Sequence, residues 1–186
     1  MRKEFQDIWD AVTAGREADL VRTVDGRRVV RRFLPPERLV LLGGGHVSLA
    51  LYEAALKVGF AVTVADDRPA FASYARFPEA SEVICDSFEN ALPRLNIGAG
   101  DFVCVLTRGH KDDTVCMKYL LRGNEPRYLG MIGSHRRVKG LFELLGEEGY
   151  DKERIGRVHA PIGLSIGAVT PAEIAVSICA ELIAAR

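Results

Sequence analysis

The stretch Leu39-Val40-Leu41-Leu42-Gly43-Gly44-Gly45-His46-Val47-Ser48-Leu49-Ala50 constrains this chain more than any other. An apolar run of strand length empties into three glycines and then into helix-compatible residues. That is the order of strand, tight turn and helix start in a nucleotide-binding βαβ unit. Gly43 suits the tight turn. Gly45 lets backbone approach a phosphate, whose charge meets the free N–H groups where His46 and Val47 open the helix. Ser48 stands where the G-x-G-x-x-G pattern has its third glycine, and is small enough to let helix and strand stay close. A second apolar run, Phe60 to Ala65, ends in Asp66-Asp67-Arg68, about 20 residues past the glycines, where such a unit places its ribose-binding acid. Read alone, the glycines fit an ordinary structural turn as well.

The 186 residues are 48% hydrophobic and 27% charged, which suits one globular α/β domain with a small appendage. Lys+Arg 25 balances Asp+Glu 25, so no overall field draws nucleic acid or an anionic membrane. No apolar run reaches the roughly 20 residues of a membrane span, and the first residues lack the apolar core of a signal peptide, so a cytoplasmic protein is expected. Cys85 and Cys104 fall in strands predicted to be buried, and Cys116 and Cys179 on predicted helices. With no C-x-x-C pair, no disulfide and no zinc site is expected.

Phe5, Ile8, Trp9 and Val12 follow helical spacing, which predicts an amphipathic helix from Lys3 to Ala14 that stops at Gly15. Leu20–Val24 and Arg27–Phe33 flank Asp25-Gly26, a preferred two-residue hairpin turn. A helix and one hairpin are too little to be stable alone, so this segment should dock on the main domain or on a second subunit. Leu34-Pro35-Pro36 ends the appendage as a stiff hinge, giving a predicted division into residues 1–36 and 37–186. Beyond it, strands are predicted at 39–42, 60–65, 82–85, 101–106 and 127–132, with a weak sixth at 155–159. Helices are expected at 46–58, 69–76, 87–95, 111–122 and 134–148. The alternation implies a doubly wound, mainly parallel Rossmann-like sheet in the order 3-2-1-4-5-6. Thr170-Pro171-Ala172-Glu173 reads as a capping box with proline at N1, so that Ile174, Ile178, Leu182 and Ile183 of the last helix pack on the sheet.

In such a sheet the ligand lies at the carboxyl ends of the strands. The loops collected there are His46; Asp66, Asp67 and Arg68; Thr107, Arg108, Gly109, His110 and Asp113; Gly133, Ser134, His135, Arg136 and Arg137; and His159 onward. All four histidines are placed on this edge. Three readings stay open: coincidence, since loops are polar; a site for a large, phosphorylated, redox-sensitive ligand; or a metal site from His110, Asp113 and His46. Ser134 can cap the following helix while His135, Arg136 and Arg137 decorate its first turn, an arrangement favoured if an anion binds there. No G-x-S-x-G elbow, loop cysteine nucleophile or Y-x-x-x-K pair is present, so the site reads as built to hold rather than to attack.

These stretches together resemble the C-terminal Rossmann domain of the XdhC/CoxI family, the xanthine dehydrogenase accessory proteins. The matching pieces are Leu42–Val47, Val64–Pro69, Leu106–Asp113, Tyr128–Ser134, and His159–Leu164 through Thr170–Ser177. The resemblance implies a maturation factor for molybdenum hydroxylases: a cytoplasmic homodimer that binds molybdenum cofactor (molybdopterin), protects it during sulfuration and delivers it to an apo-molybdenum hydroxylase. A cysteine desulfurase is a further implied partner. From crevice position, Gly43 and Gly45 would admit the phosphate, Asp66 would take a ribose or pterin hydroxyl, and Thr107 to Asp113 would lie near the metal end. Two departures stand out. The family's N-terminal half is replaced here by the helix and hairpin, and Ser165 stands where the family commonly has aspartate in Gly-Leu-Asp-Ile-Gly. The alternative reading is an NAD(P)-dependent oxidoreductase, for which Asp66 would favour NAD.

Overall fold

A computed structural model describes residues 2–13 and 16–186. The helix stop expected at Ala14 and Gly15 lies outside the described residues. The chain divides into two compact units, residues 1–37 and 38–186.

The first unit holds helix α1 (Arg2–Thr13) and the antiparallel strands β1 (Ala18–Val24) and β2 (Arg27–Phe33). Asp25 and Gly26 both take positive φ, 49° and 73°, the requirement of a type I′ turn and the reason an Asp-Gly pair closes this hairpin. Arg22 reaches Glu4 of α1 through two bonds of 2.8 and 2.6 Å. Across the strands, Arg32 pairs with Asp19 at 3.0 Å. Ile8 of α1 is buried, whereas Phe5 and Trp9 are exposed.

The second unit is built on strands β3 (Arg38–Leu42), β4 (Ala61–Asp66), β5 (Glu82–Cys85), β6 (Phe102–Val105) and β7 (Tyr128–Met131). All are parallel, in the order β5-β4-β3-β6-β7. The chain therefore leaves β3 toward β4 on one side and returns to β6 on the other, which makes the β3/β6 boundary the topological switch point. Helices α2 (His46–Lys57), α3 (Phe88–Leu95), α4 (His110–Arg122), α5 (His135–Glu147), α6 (Lys152–Gly156) and α7 (Pro171–Ala184) complete it.

The near-continuous apolar strands serve two cores. Val40 and Leu42 of β3 face the layer that includes Phe88, Leu92, Met117, Leu120, Val138 and Leu141. Leu39 and Leu41, on alternate positions, face Leu51, Tyr52 and Ala55 of α2 and Ala175, Ile178 and Leu182 of α7. Such a two-sided sheet needs both sets of alternating residues to be apolar. The α7 capping box forms as expected: Glu173 N–H donates to Thr170 Oγ1, and Glu173 Oε2 accepts from the Thr170 amide. Ile183 does not pack as expected but is exposed, and Ala175 and Cys179 take places on the buried face instead.

Three further expectations are corrected. Residues 69–76 form no helix. Phe71 and Ala72 bond back to Arg68, and Arg76 and Phe77 back to Ser73, as two separate turns. Their apolar periodicity covers too few residues to sustain a helix, which costs much to nucleate. The sixth strand is also absent: Asp151 caps α6 by accepting from the Glu153 amide, which draws Ile155 and Gly156 into the helix. Only His159 pairs beside Gly130, in the place expected for that strand, and Pro161, lacking an N–H, cannot extend the ladder. Cys85 lies on its strand but is exposed, because β5 is an edge strand.

Candidate functional site

Each residue of the glycine turn does a separate task. Gly43 has φ +109°, and a Cβ there would lie 2.4 Å from the Leu106 carbonyl oxygen, so the turn passes hard against the end of β6 as only glycine can. A Cβ on Gly44 would meet the Phe71 carbonyl oxygen at 2.0 Å. Gly45 differs: no other atom lies within 4 Å of the position a Cβ would take, and it is the N-cap of α2 with no side-chain cap. Gly109 repeats that arrangement at the start of α4, open and without a side-chain cap. Two helix starts with free amide groups thus flank the switch point, where backbone N–H groups and helix dipole together favour an anion. Val47 offers only its backbone, because its side chain packs toward the core.

Asp66 is not placed as a ribose acceptor. Its Oδ2 accepts from the Gly44 amide at 2.8 Å and from Arg68 Nη2 at 2.9 Å. Its Oδ1 accepts from the Arg68 amide at 3.0 Å and from Arg68 Nε at 2.8 Å. A carboxylate has about four lone-pair positions, and all are taken on a group 1% exposed. Burial pushes this carboxyl up, but the Arg68 guanidinium and the Gly44 and Arg68 amides outweigh it and hold Asp66 below its ordinary range. Arg68 in turn lies 3.8 Å over the Phe71 ring, and Arg76 Nε donates to the Gly44 carbonyl at 3.0 Å. Residues 68–77 are therefore fastened onto the turn. Sequence reasoning missed Gly44, Phe71 and Arg76. The signal was there in the middle glycine of the three, Gly44, since a dinucleotide turn requires only the first and third positions of G-x-G.

Across the other strand ends, Arg108 Nη2 pairs with Asp67 at 2.9 Å. Thr107 Oγ1 donates to the buried Asp113 at 2.5 Å, and Arg137 pairs with the same carboxylate from the first turn of α5. Burial dominates at Asp113 and pushes its carboxyl up, against the opposing pull of Thr107, Arg137 and His110. Ser134 caps α5 by accepting from the Arg137 amide at 3.3 Å, and a Cβ on Gly133 would lie 3.4 Å from Val138. The chain of ion pairs ties the ends of β4, β6 and β7 into one edge.

His46, His110 and His135 are each the first residue of a helix, α2, α4 and α5, and all are exposed. His159 departs from them: its ring stacks on Tyr128 at 4.5 Å, which begins β7, and so turns from the crevice. Among the described residues, no three His, Cys, Asp or Glu side chains come together to hold a metal ion, and no helix is long and apolar enough to cross a membrane.

Comparison with known proteins places the chain in a family. The family model described as the XdhC Rossmann domain matches residues 39–182. The chain belongs to the XdhC family. It is similar to a probable xanthine dehydrogenase subunit of Bacillus subtilis strain 168, 34% identical over 157 residues, which make up 84% of this chain and 45% of that protein. It is also 36% identical over 148 residues to the uncharacterized protein YqeB of Escherichia coli strain K12, covering 78% of this chain and 27% of YqeB. This XdhC chain thus spans less than half the length of either relative. A crystal structure of a xanthine dehydrogenase from Bacillus halodurans superposes with a TM-score of 0.86 at 26% identity, covering 99% of this chain and 64% of that one.

Proposed function

We propose that this XdhC-family chain binds molybdenum cofactor as cargo in the crevice at the β3/β6 switch point and hands it to an apo-molybdenum hydroxylase of the xanthine dehydrogenase type. The observation that carries the reading is the pair of open, glycine-capped helix starts, Gly45 and Gly109, on either side of that switch point. A pterin phosphate suits them, because the free amide groups supply donors and the dipoles supply positive potential. Thr107, Arg108, His110 and Ser134 border the same loops and would serve the rest of the cargo. A cysteine desulfurase as sulfur source and a homodimeric assembly complete the proposal.

The nicotinamide reading loses its main residue. A dinucleotide laid over β4 needs a free acid for its ribose, and Asp66 has given its lone pairs to Arg68 and Gly44.

Anaerobic titration with molybdenum cofactor, and in parallel with NADH, followed by ligand fluorescence, tests the reading. Saturable cofactor binding, together with activation of an apo-hydroxylase and no turnover by the chain itself, is the expected result. Tight NADH binding with none for the pterin would sink it.

A further inference from the structure

At the other end of the sheet, where β6 and β7 begin, a cavity of about 430 Å³ is bounded by Pro126, Arg127, Tyr128, Arg154, Arg157 and His159. The crevice makes no use of it. His159 is held there in an unusual way. One ring face stacks on Tyr128 with centroids 4.5 Å apart and planes 28° from parallel. Its Nδ1 lies 3.2 Å from Glu181 Oε1, while Glu181 Oε2 accepts from the Tyr128 hydroxyl at 2.6 Å and the Gly163 amide at 2.7 Å. The carboxylate beside Nδ1 orients the ring by that nitrogen. The fold thus fixes one face and one nitrogen, and the rest of a side chain 43% exposed stays open.

Three arginines, Arg127, Arg154 and Arg157, line the cavity with one acid, Glu125, while Glu153 and Glu181 stand behind Arg157 and His159. Arg154 spends its Nη2 on the Leu120 and Gly123 carbonyls. Arg157 holds Glu125 through Nε at 3.2 Å and Glu153 more loosely at 3.7 Å, and is 54% exposed. An aromatic face accepts a flat ring by stacking, and fork-shaped guanidiniums match phosphate oxygens. The volume falls within the range of small-molecule sites, about 300–1,000 Å³.

We propose that this cavity is a second ligand site, separate from the crevice, for a small planar anion of the nucleoside monophosphate class, with its ring on His159 and its phosphate on Arg157. The proposal stands independently of the cargo reading.

Amide correlation spectra of the nitrogen-15-labelled full chain, titrated with AMP and separately with inorganic phosphate, test it. AMP should move the signals of residues 127–129 and 156–159 and leave Gly45 and Gly109 in place. Arg157→Ala should weaken AMP about tenfold, as the loss of a charge-assisted bond does. His159→Phe, which keeps a stacking face, should hold AMP within about threefold of wild type, whereas His159→Ala should lose roughly tenfold. Arg157 is a surface side chain, so its variant keeps the test readable if the His159 variants lose stability. Four results would overturn the proposal: no shifts at millimolar AMP, shifts confined to Gly45 and Gly109, phosphate binding as tightly as AMP, or an unaltered affinity in the Arg157 variant.

Discussion

Replacing Asp66 by alanine removes the acceptor of four hydrogen bonds from a position 1% exposed. Three groups are stranded. The Gly44 and Arg68 amides lose their acceptor, and the Arg68 guanidinium is left with Asp67 at 3.7 Å as its nearest acid. Breaking a buried ion pair by deleting one partner costs about 3–5 kcal/mol. Arg68 is 26% exposed and regains some hydration, which lowers the expectation to about 2–4 kcal/mol. For a unit of this size, each kcal/mol moves the melting temperature by roughly 2–4 °C, so thermal unfolding should shift down by about 5–15 °C. Deleting Arg68 as well should recover about 1 kcal/mol, because the uncompensated cation is gone.

The sign of the pH dependence follows from the same bonds. Asp66 is held below its ordinary value in the folded chain, so its stabilisation is present above the unfolded carboxyl value and is lost as pH falls through the folded one. The gap between wild type and Asp66→Ala should therefore be widest near neutrality and close below about pH 4. An Asp66→Ala chain that melts with wild type but no longer binds its ligand would refute the argument. The carboxylate would then be a ligand contact, and the nicotinamide reading would return.

The glycines separate in the same assay. Gly44→Ala should cost more than about 2 kcal/mol, since its Cβ must displace the Phe71 backbone. Gly45→Ala should melt within about 0.5–1 kcal/mol of wild type, yet weaken molybdenum cofactor about tenfold by crowding the open helix start. A thiol reagent should label one cysteine per native chain, Cys85, because Cys104, Cys116 and Cys179 are buried and their thiols are pushed up by that burial. Labelling of two or more at the same rate would contradict the packing. Thr170→Ala should lower stability by about 1 kcal/mol in denaturant unfolding, through loss of the α7 capping box.

The sheet was legible because its signal is redundant. Each of the five strands is a short apolar run between turn residues, and a parallel sheet with two cores permits no polar face. Asp25-Gly26 and the Thr170 capping box were legible for a narrower reason, since each motif contains within four residues all the groups that satisfy it. Residues 155–159 misled because β-branched and small residues suit a strand as well as a turn of helix. The decision came from Asp151 and Glu153, whose capping outranks the weak propensity downstream.

The site was legible as a place and not as a set of contacts. The glycine turn and strand ends point to one edge, since topology alone brings Gly45, Gly109 and Ser134 to the same side. What Asp66 does there depends on Arg68, two residues away, folding back onto it instead of pointing out. That choice is made by Phe71, whose ring receives Arg68 and whose carbonyl meets Gly44. The pattern of glycines and an acid is shared by any βαβ unit that binds a ribose, and it carries no information on whether an arginine has already occupied the acid. The added residues that decide the matter are Gly44, Arg68, Phe71 and Arg76. They act as one group: the middle glycine, Gly44, lets the Phe71 backbone approach, and the two arginines then fasten that segment to the turn by the Asp66 carboxylate and the Gly44 carbonyl. In this chain the triple glycine, the Asp66-Asp67-Arg68-Pro69 segment and Phe71, three beyond the arginine, together leave Asp66 no lone pair for a ribose.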